Sequence, residues 1–135
     1  MILVTGANGV VGTAFRAQAR LFDEPLDFTD IGELDVRDPS VVMGRVANRN
    51  YSHVIHLAAE TDVDLCEQSP DHAYLTNAIG AYHVALACQK YDVVMVYVST
   101  AGVFGGDGRI GPFTEFDPPC PANIYGVAKL KGEES

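Results

Sequence analysis

Tyr125 and Lys129 stand four residues apart in the stretch NIYGVAKLKGEES (123–135). On a helix, that spacing sets both side chains on one face. A phenol can donate a proton to a forming alkoxide, or accept one in the reverse direction. Its ordinary pKa is ~10, and a nearby ammonium shifts it downward. The same spacing also fits the start of an ordinary amphipathic helix. What precedes the pair has to decide between the two.

A second chemical feature opens the chain. TGANGVVG places Gly6, Gly9 and Gly12 directly after the apolar, β-branched run MILVT. Gly6 allows a tight turn, Gly9 lets the backbone approach a pyrophosphate, and Gly12 lets a helix pack closely on a sheet. The N-terminus of that helix would present free N–H groups to the phosphates. Asn8, Val10 and Val11 lie between these glycines and join the expected cofactor contacts. A plain strand-to-helix turn is the competing reading. Asp30 argues against it, lying 18 residues after Gly12. An acidic residue that reads the adenosine ribose is expected ~20 residues on. A carboxylate there repels a 2′-phosphate, which favours NAD over NADP. Thr29 beside it can hydrogen-bond either cofactor.

These residues need a scaffold, and the chain alternates strand and helix signals. MILVT (1–5), PLDFTD (25–30), SHVIHLAA (52–59) and VVMVYVST (93–100) read as strands. Residues 8–22 carry Val10, Val11, Ala14, Phe15, Ala17 and Leu21 at helical spacing. DPSVVMGRVANRN (38–50) opens on an N-cap candidate, Asp38, followed by Pro39 at the first helical position. Ser69-Pro70 leads a long helix over 70–91, with Ala73, Leu75, Ala78, Ala81, Val84, Ala85 and Cys88 as its buried set. Residues 101–122 read as loop, and a helix begins near Asn123. Strands alternating with helices predict an α/β fold, a doubly wound parallel sheet of Rossmann type. The expected strand order is 3-2-1-4.

Composition narrows the classes. The 135 residues make one domain, able to bury a core. A net charge of −9 excludes a basic face for nucleic acid. No apolar run approaches the ~20 residues of a membrane span. The opening MILVTGANG lacks a basic n-region and a long h-region, so a cytoplasmic location is expected. Cys66, Cys88 and Cys120 are odd in number and widely spaced, which predicts reduced thiols. No metal site is expected. His53 and His56 are three apart on a strand and point to opposite faces. His72 and His83 lack a third ligand, and Asp62, Asp64 and Glu67 read as a solvated loop face.

Taken together, these segments resemble the extended short-chain dehydrogenase/reductase family. The glycine spacing Gly-x-x-Gly-x-x-Gly fits it, and the likeness runs from residue 1 to 134. GELDVRD (32–38) resembles the segment that contacts adenine, which implies roles for Asp35 and Val36. HLAAETDVDLCE (56–67) resembles the loop lining the nicotinamide ribose, implying Leu57, Ala58, Ala59 and Thr61. TNAIGAYHVALAC (76–88) carries the family's helix asparagine as Asn77. VYVSTAGVFGG (96–106) carries its hydroxyl residue, and YGVAK (125–129) its Tyr-x-x-x-Lys. The resemblance implies Thr100, Tyr125 and Lys129 as the catalytic set, with Ser99 beside them. Tyr125 and Lys129 also touch the cofactor.

Within the family, ETDVDLCEQSP and FTEFDPPCPANIYGVAKLKGEE resemble the dTDP-4-dehydrorhamnose reductase branch. That likeness implies reduction of the 4-keto group of a nucleotide-diphospho sugar by NAD(P)H, and it allows a homodimer. STAGVFG (99–105) departs from the branch and looks more like the nucleotide-sugar 4-epimerases. An NAD-dependent epimerase is therefore the alternative. A dinucleotide-binding regulatory subunit without catalysis is a further one. Members of the family are much longer. Residues 1–135 are thus expected to be a partial NAD(P)-binding domain, without the C-terminal substrate domain and inactive in isolation.

Overall fold

The computed structural model describes all of residues 1–135. Four parallel strands, β1 (Ile2–Thr5), β2 (Leu26–Phe28), β3 (His53–His56) and β4 (Val94–Tyr97), form one sheet in the order β2-β1-β3-β4. The expected order 3-2-1-4 is corrected by this pairing. Leu3 of β1 faces Asp27 of β2 on one side and Val54 of β3 on the other. The reason lies after β2. Residues 31–33 and 36–37 form turns, and β2 remains the edge strand of the sheet. The next crossover then carries the chain to the far side of β1. The chain therefore reverses direction between β1 and β3, the switch point where α/β sheets hold ligands.

Local chemistry sets the helices. In α1 (Val10–Ala17), Gly9 provides no side-chain cap, and Gly12 is the helix's buried residue. The apolar face expected over 8–22 is only partly realised. Val10 and Val11 are 89% and 57% exposed, while Phe15 packs edge-on against Phe22 and Phe28. Asp38 caps α2 (Pro39–Ala47) by accepting from the Ser40 and Val41 N–H groups, with Pro39 in the first turn. A further helix, α3 (Val63–Gln68), occupies part of the expected loop. Asp62 caps it through the Leu65 N–H at 2.9 Å.

The long helix is present but not uniform. α4 (Pro70–Tyr74) runs through a wide π turn, Leu75–Ile79, into α5 (Gly80–Tyr91). Leu75, expected inside, is exposed at the start of that turn, and Ala87 is buried where Ala85 was expected. The last helix, α6 (Ile124–Glu133), is capped by Asn123, whose Oδ1 accepts from Gly126 N–H at 2.8 Å. No helix is long and apolar enough to cross a membrane.

The main core lies on one face of the sheet. Leu3, Val54, Val36, Val42, Val46 and Val84 pack there with Cys88. Burial pushes the Cys88 thiol up to about 11, leaving it protonated. A smaller cluster, Cys66, Ala73 and Ala128, joins α3, α4 and α6. Val94, Val96 and Val98 alternate away from the main core and remain exposed.

Candidate active site

The C-terminal ends of β1 and β3 open into a cleft of about 420 Å³. Its walls include Gly6, Gly9, Val10, Val11, Gly12, Asp30, Asp35, Val36, Leu57, Ala58, Ala59 and Thr61, all expected from sequence. Gly6 has φ +65°, and a Cβ there would lie 2.6 Å from the Ala58 backbone. No other residue lets the β1 turn pass so close to the β3 loop. Val10 and Val11 stand at the cleft mouth rather than in the core, and the first-turn N–H groups of α1 lack helical partners.

Asn8 does not line the cleft. Its N–H donates to Asp30 Oδ2 at 2.7 Å, while Ile31 N–H donates to Oδ1 at 2.9 Å. The carboxylate is thus held at the end of β2 by two backbone donors. Thr29 is buried and its hydroxyl donates to the Val4 carbonyl at 3.2 Å, so it turns away from any cofactor. Asp35 is paired with Arg37, Nε to Oδ1 at 2.8 Å and the terminal nitrogen to Oδ2 at 2.6 Å. That guanidinium holds the Asp35 carboxyl below its ordinary value.

Sequence reasoning missed Ile31, Leu34, Arg37, Glu60, His72 and Thr76, which complete the cleft wall. Leu34, Arg37, Glu60 and Thr76 lie inside the family-like segments, but no residue type or spacing singles them out, because they reach the cleft through turns and the neighbouring helix. Asn77, expected near the cofactor, is buried behind the wall. Its amide accepts from Glu60 N–H at 2.8 Å and donates to Glu60 O at 2.9 Å. The Glu60 carboxylate meets His72 Nε2 at 3.2 Å. Glu67 accepts from Ile124 N–H at 2.7 Å and Asp62 from Leu65 N–H, so two of the three exposed acids on the expected solvated face also serve as structural ties.

The proton-transfer candidates come to the same edge of the sheet. Thr100 follows β4, and its Oγ1 accepts from Gly102 N–H at 3.1 Å, capping a short turn (Ala101–Val103). Its own proton remains available. The Ser99 hydroxyl donates to the Glu133 carboxylate, so Ser99 ties α6 to the strand end. The Tyr125 ring rests on the Cys66–Ala73–Ala128 cluster. Lys129 is 3% exposed. Its Nζ donates to the Val98 carbonyl at 2.7 Å and is not hydrogen-bonded to the Tyr125 hydroxyl. Burial draws its pKa down to about 8, against the raising effect of Glu133.

Two further side chains support this corner. Tyr97 lies with its ring centre 4.0 Å from Lys129 Nζ. His56, buried below, stacks on Tyr97 at 5.7 Å and shares a hydrogen bond of 2.8 Å with Thr5 Oγ1. Burial lowers the His56 pKa to about 3, so the ring is neutral. Strand alternation was the available signal, since Tyr97 shares its face with core-packed Met95.

A dinucleotide fits this arrangement. The uncapped N-terminus of α1 suits a diphosphate, Asp30 suits ribose hydroxyls, and Thr76 Oγ1 is a buried hydroxyl without a partner in the cleft wall. Strand order sets the direction. Asp30 follows β2, the glycine turn follows β1, and Thr100 follows β4, so Thr100 lies at the far end of the sheet from Asp30.

Known proteins match along the whole chain. A family model described as RmlD substrate binding domain covers residues 1–135. A dTDP-4-dehydrorhamnose reductase of Mycolicibacterium smegmatis is 37% identical over 134 residues, which are 99% of this chain and 40% of that protein. The crystal structure of a dTDP-4-dehydrorhamnose reductase from Bacillus anthracis in complex with NADP superposes with a TM-score of 0.93 at 39% identity. It covers 98% of this chain and 47% of that one. A Thermus thermophilus UDP-glucose 4-epimerase complexed with NAD is more distant, with a TM-score of 0.88 at 25% identity, and again covers 98% and 48%. The chain thus spans less than half the length of these relatives. By the match of its full length, this chain belongs to the RmlD substrate binding domain family.

Proposed function

We propose that residues 1–135 form the dinucleotide-binding and proton-donating part of an oxidoreductase. Its reaction is reduction of the 4-keto group of a nucleotide-diphospho sugar, as the name dTDP-4-dehydrorhamnose reductase describes for its relatives. One observation carries the reading. Thr100 and the Tyr125–Lys129 helix stand at the same C-terminal sheet edge as the glycine-lined cleft. A bound nicotinamide dinucleotide supplies the hydride.

The chain's own residues handle orientation and the proton. Thr100, whose oxygen is occupied by Gly102 N–H, donates its hydrogen to the ketone oxygen. Tyr125 gives its proton to the alkoxide as C4 receives the hydride, and solvent restores the phenol. The Lys129 ammonium balances the charge left on Tyr125. NADH is the preferred donor, because the fixed Asp30 carboxylate favours ribose hydroxyls over a 2′-phosphate.

The test uses the full-length protein that contains these residues. Supplied with dTDP-4-keto-6-deoxy sugar, it should consume NADH, and Tyr125→Phe should lower kcat by ~10² or more. Undiminished turnover in that variant would remove Tyr125 from the mechanism. A 4-epimerase is the second reading, favoured by Ala101 and Gly102 in the turn after β4. It requires cofactor retained through purification and no net consumption of NADH.

A further inference from the structure

The reductase reading leaves Tyr97 without a role, yet Tyr97 is the group against which Lys129 rests. We propose that Tyr97 is a positioning residue for Lys129, its ring face holding the buried ammonium at the cofactor end of β4. The inference rests on the reductase reading and adds a residue to it.

A buried ammonium normally needs a carboxylate partner or a full set of acceptors. Lys129 has one hydrogen bond, to the Val98 carbonyl. Its own helix offers Glu133 one turn on, but that carboxylate is engaged by the Ser99 hydroxyl. Glu67 of α3 is spent on the Ile124 N–H. From the sheet, the facing groups are Tyr97 and, behind it, His56. An ammonium 4.0 Å from a ring centre lies well inside the ~6 Å range of cation–π attraction. That attraction favours the charged form, against the burial that disfavours it.

The ring is fixed on every side. His56 stacks beneath it with planes 20° apart, and the hydroxyl lies 3.3 Å from the Lys129 carbonyl and 3.4 Å from that of Asn77. Gly132 covers the hydroxyl end, where a side chain on α6 would collide with it. A neutral His56 matters here, since a second cation beside the ring would repel the ammonium. Tyr97 thus sets both where the ammonium sits and over what pH range it stays charged.

Lysine-labelled NMR on the full-length protein reads the Lys129 titration directly, without turnover. Tyr97→Phe keeps the ring, and should leave the Lys129 pKa and the pH profile of kcat/KM in place. Tyr97→Leu removes the ring and should lower the Lys129 pKa by about one unit. The basic limb of kcat/KM should move with it. Tyr97→Met, unbranched and flexible enough to fill an irregular gap but without a π face, repeats the test if the Leu variant does not fold. A Lys129 titration unmoved in both ringless variants overturns the inference, as does a Phe variant that shifts as far as they do. Absence of ketone reduction in the wild-type protein would remove the reductase reading instead, and the titration would still decide on Tyr97.

Discussion

Gly126 rests directly on the carbonyl oxygen of Gly102, with no space for a side chain between them. The contact joins the first turn of α6 to the turn that Thr100 caps, so hydroxyl and phenol share one rigid corner. Gly126→Ala would drive a methyl group into that carbonyl, and the helix would have to move. Overpacking of this kind costs about 1–3 kcal/mol. Misplacing a reacting group by about an ångström costs ~10² in rate. We expect a folded variant, less stable by denaturant titration, whose kcat for ketone reduction falls by about that factor. A normal kcat would show that this corner does not set the geometry.

Asp30 tests the cofactor assignment. Asp30→Asn keeps an acceptor for one of the two backbone donors and removes the charge. The ratio of kcat/KM for NADH to that for NADPH should fall about tenfold, equivalent to ~1.4 kcal/mol. Steady-state kinetics with each cofactor measures it. An unchanged ratio would mean that the preference is set elsewhere.

Asn77 is expected to matter for stability and for cofactor affinity together. Asn77→Ala strips both partners from the Glu60 backbone, which forms part of the cleft wall. Leaving such groups unpaired costs about 1–3 kcal/mol each. Chemical denaturation should show a loss in that range, and the KM for the dinucleotide should rise. Stability loss with an unaltered KM would confine Asn77 to the scaffold.

Lys129 gives a pH-dependent signature. Its folded pKa is about 8, below the ordinary 10.5, because burial disfavours the charge. Below about pH 8 both the folded and unfolded forms carry the proton, and the burial penalty is fully present. Between 8 and 10.5 the folded form has lost it first, so wild-type stability rises with pH. Lys129→Met removes the penalty but leaves the Val98 carbonyl unpaired. It should be more stable than wild type by about 1–2 kcal/mol at pH 7. That margin should shrink as pH passes 8, while activity is lost throughout. Melting temperatures across this range decide it. A destabilised Met variant at neutral pH would mean that the ammonium is not penalised by its surroundings.

Glycines, caps and helix spacing were legible because each has a local cause. Gly6 and Gly12 announced the tight turn from β1 into α1, Asp38-Pro39 announced α2, and the Tyr125–Lys129 spacing announced a helix face. Strand order was not legible. Whether β3 lies beside β1 depends on what residues 29–38 fail to do, and a turn reads much like the start of a short strand. The ammonium's true neighbours were hidden for a similar reason. Tyr97 and His56 come from strands distant in sequence, and only sheet register stacks them under Lys129. Asp35 shows the limit of motif reasoning. The residue lies where expected, but its carboxylate is occupied by Arg37 two positions on.

The wide turn at Leu75–Ile79 has a consequence for the helix around it. Ala73, before the turn, packs with Cys66 and Ala128, whereas Val84, Ala87 and Cys88, after it, pack with Leu3 and Val54. A turn of that kind holds one residue more than an α-turn would. It acts as a gear change, letting a single rod mesh with two cores at different rotational phases. Deleting one residue there would restore an even pitch and force the two cores out of step. The length of this segment is therefore as constrained as its composition.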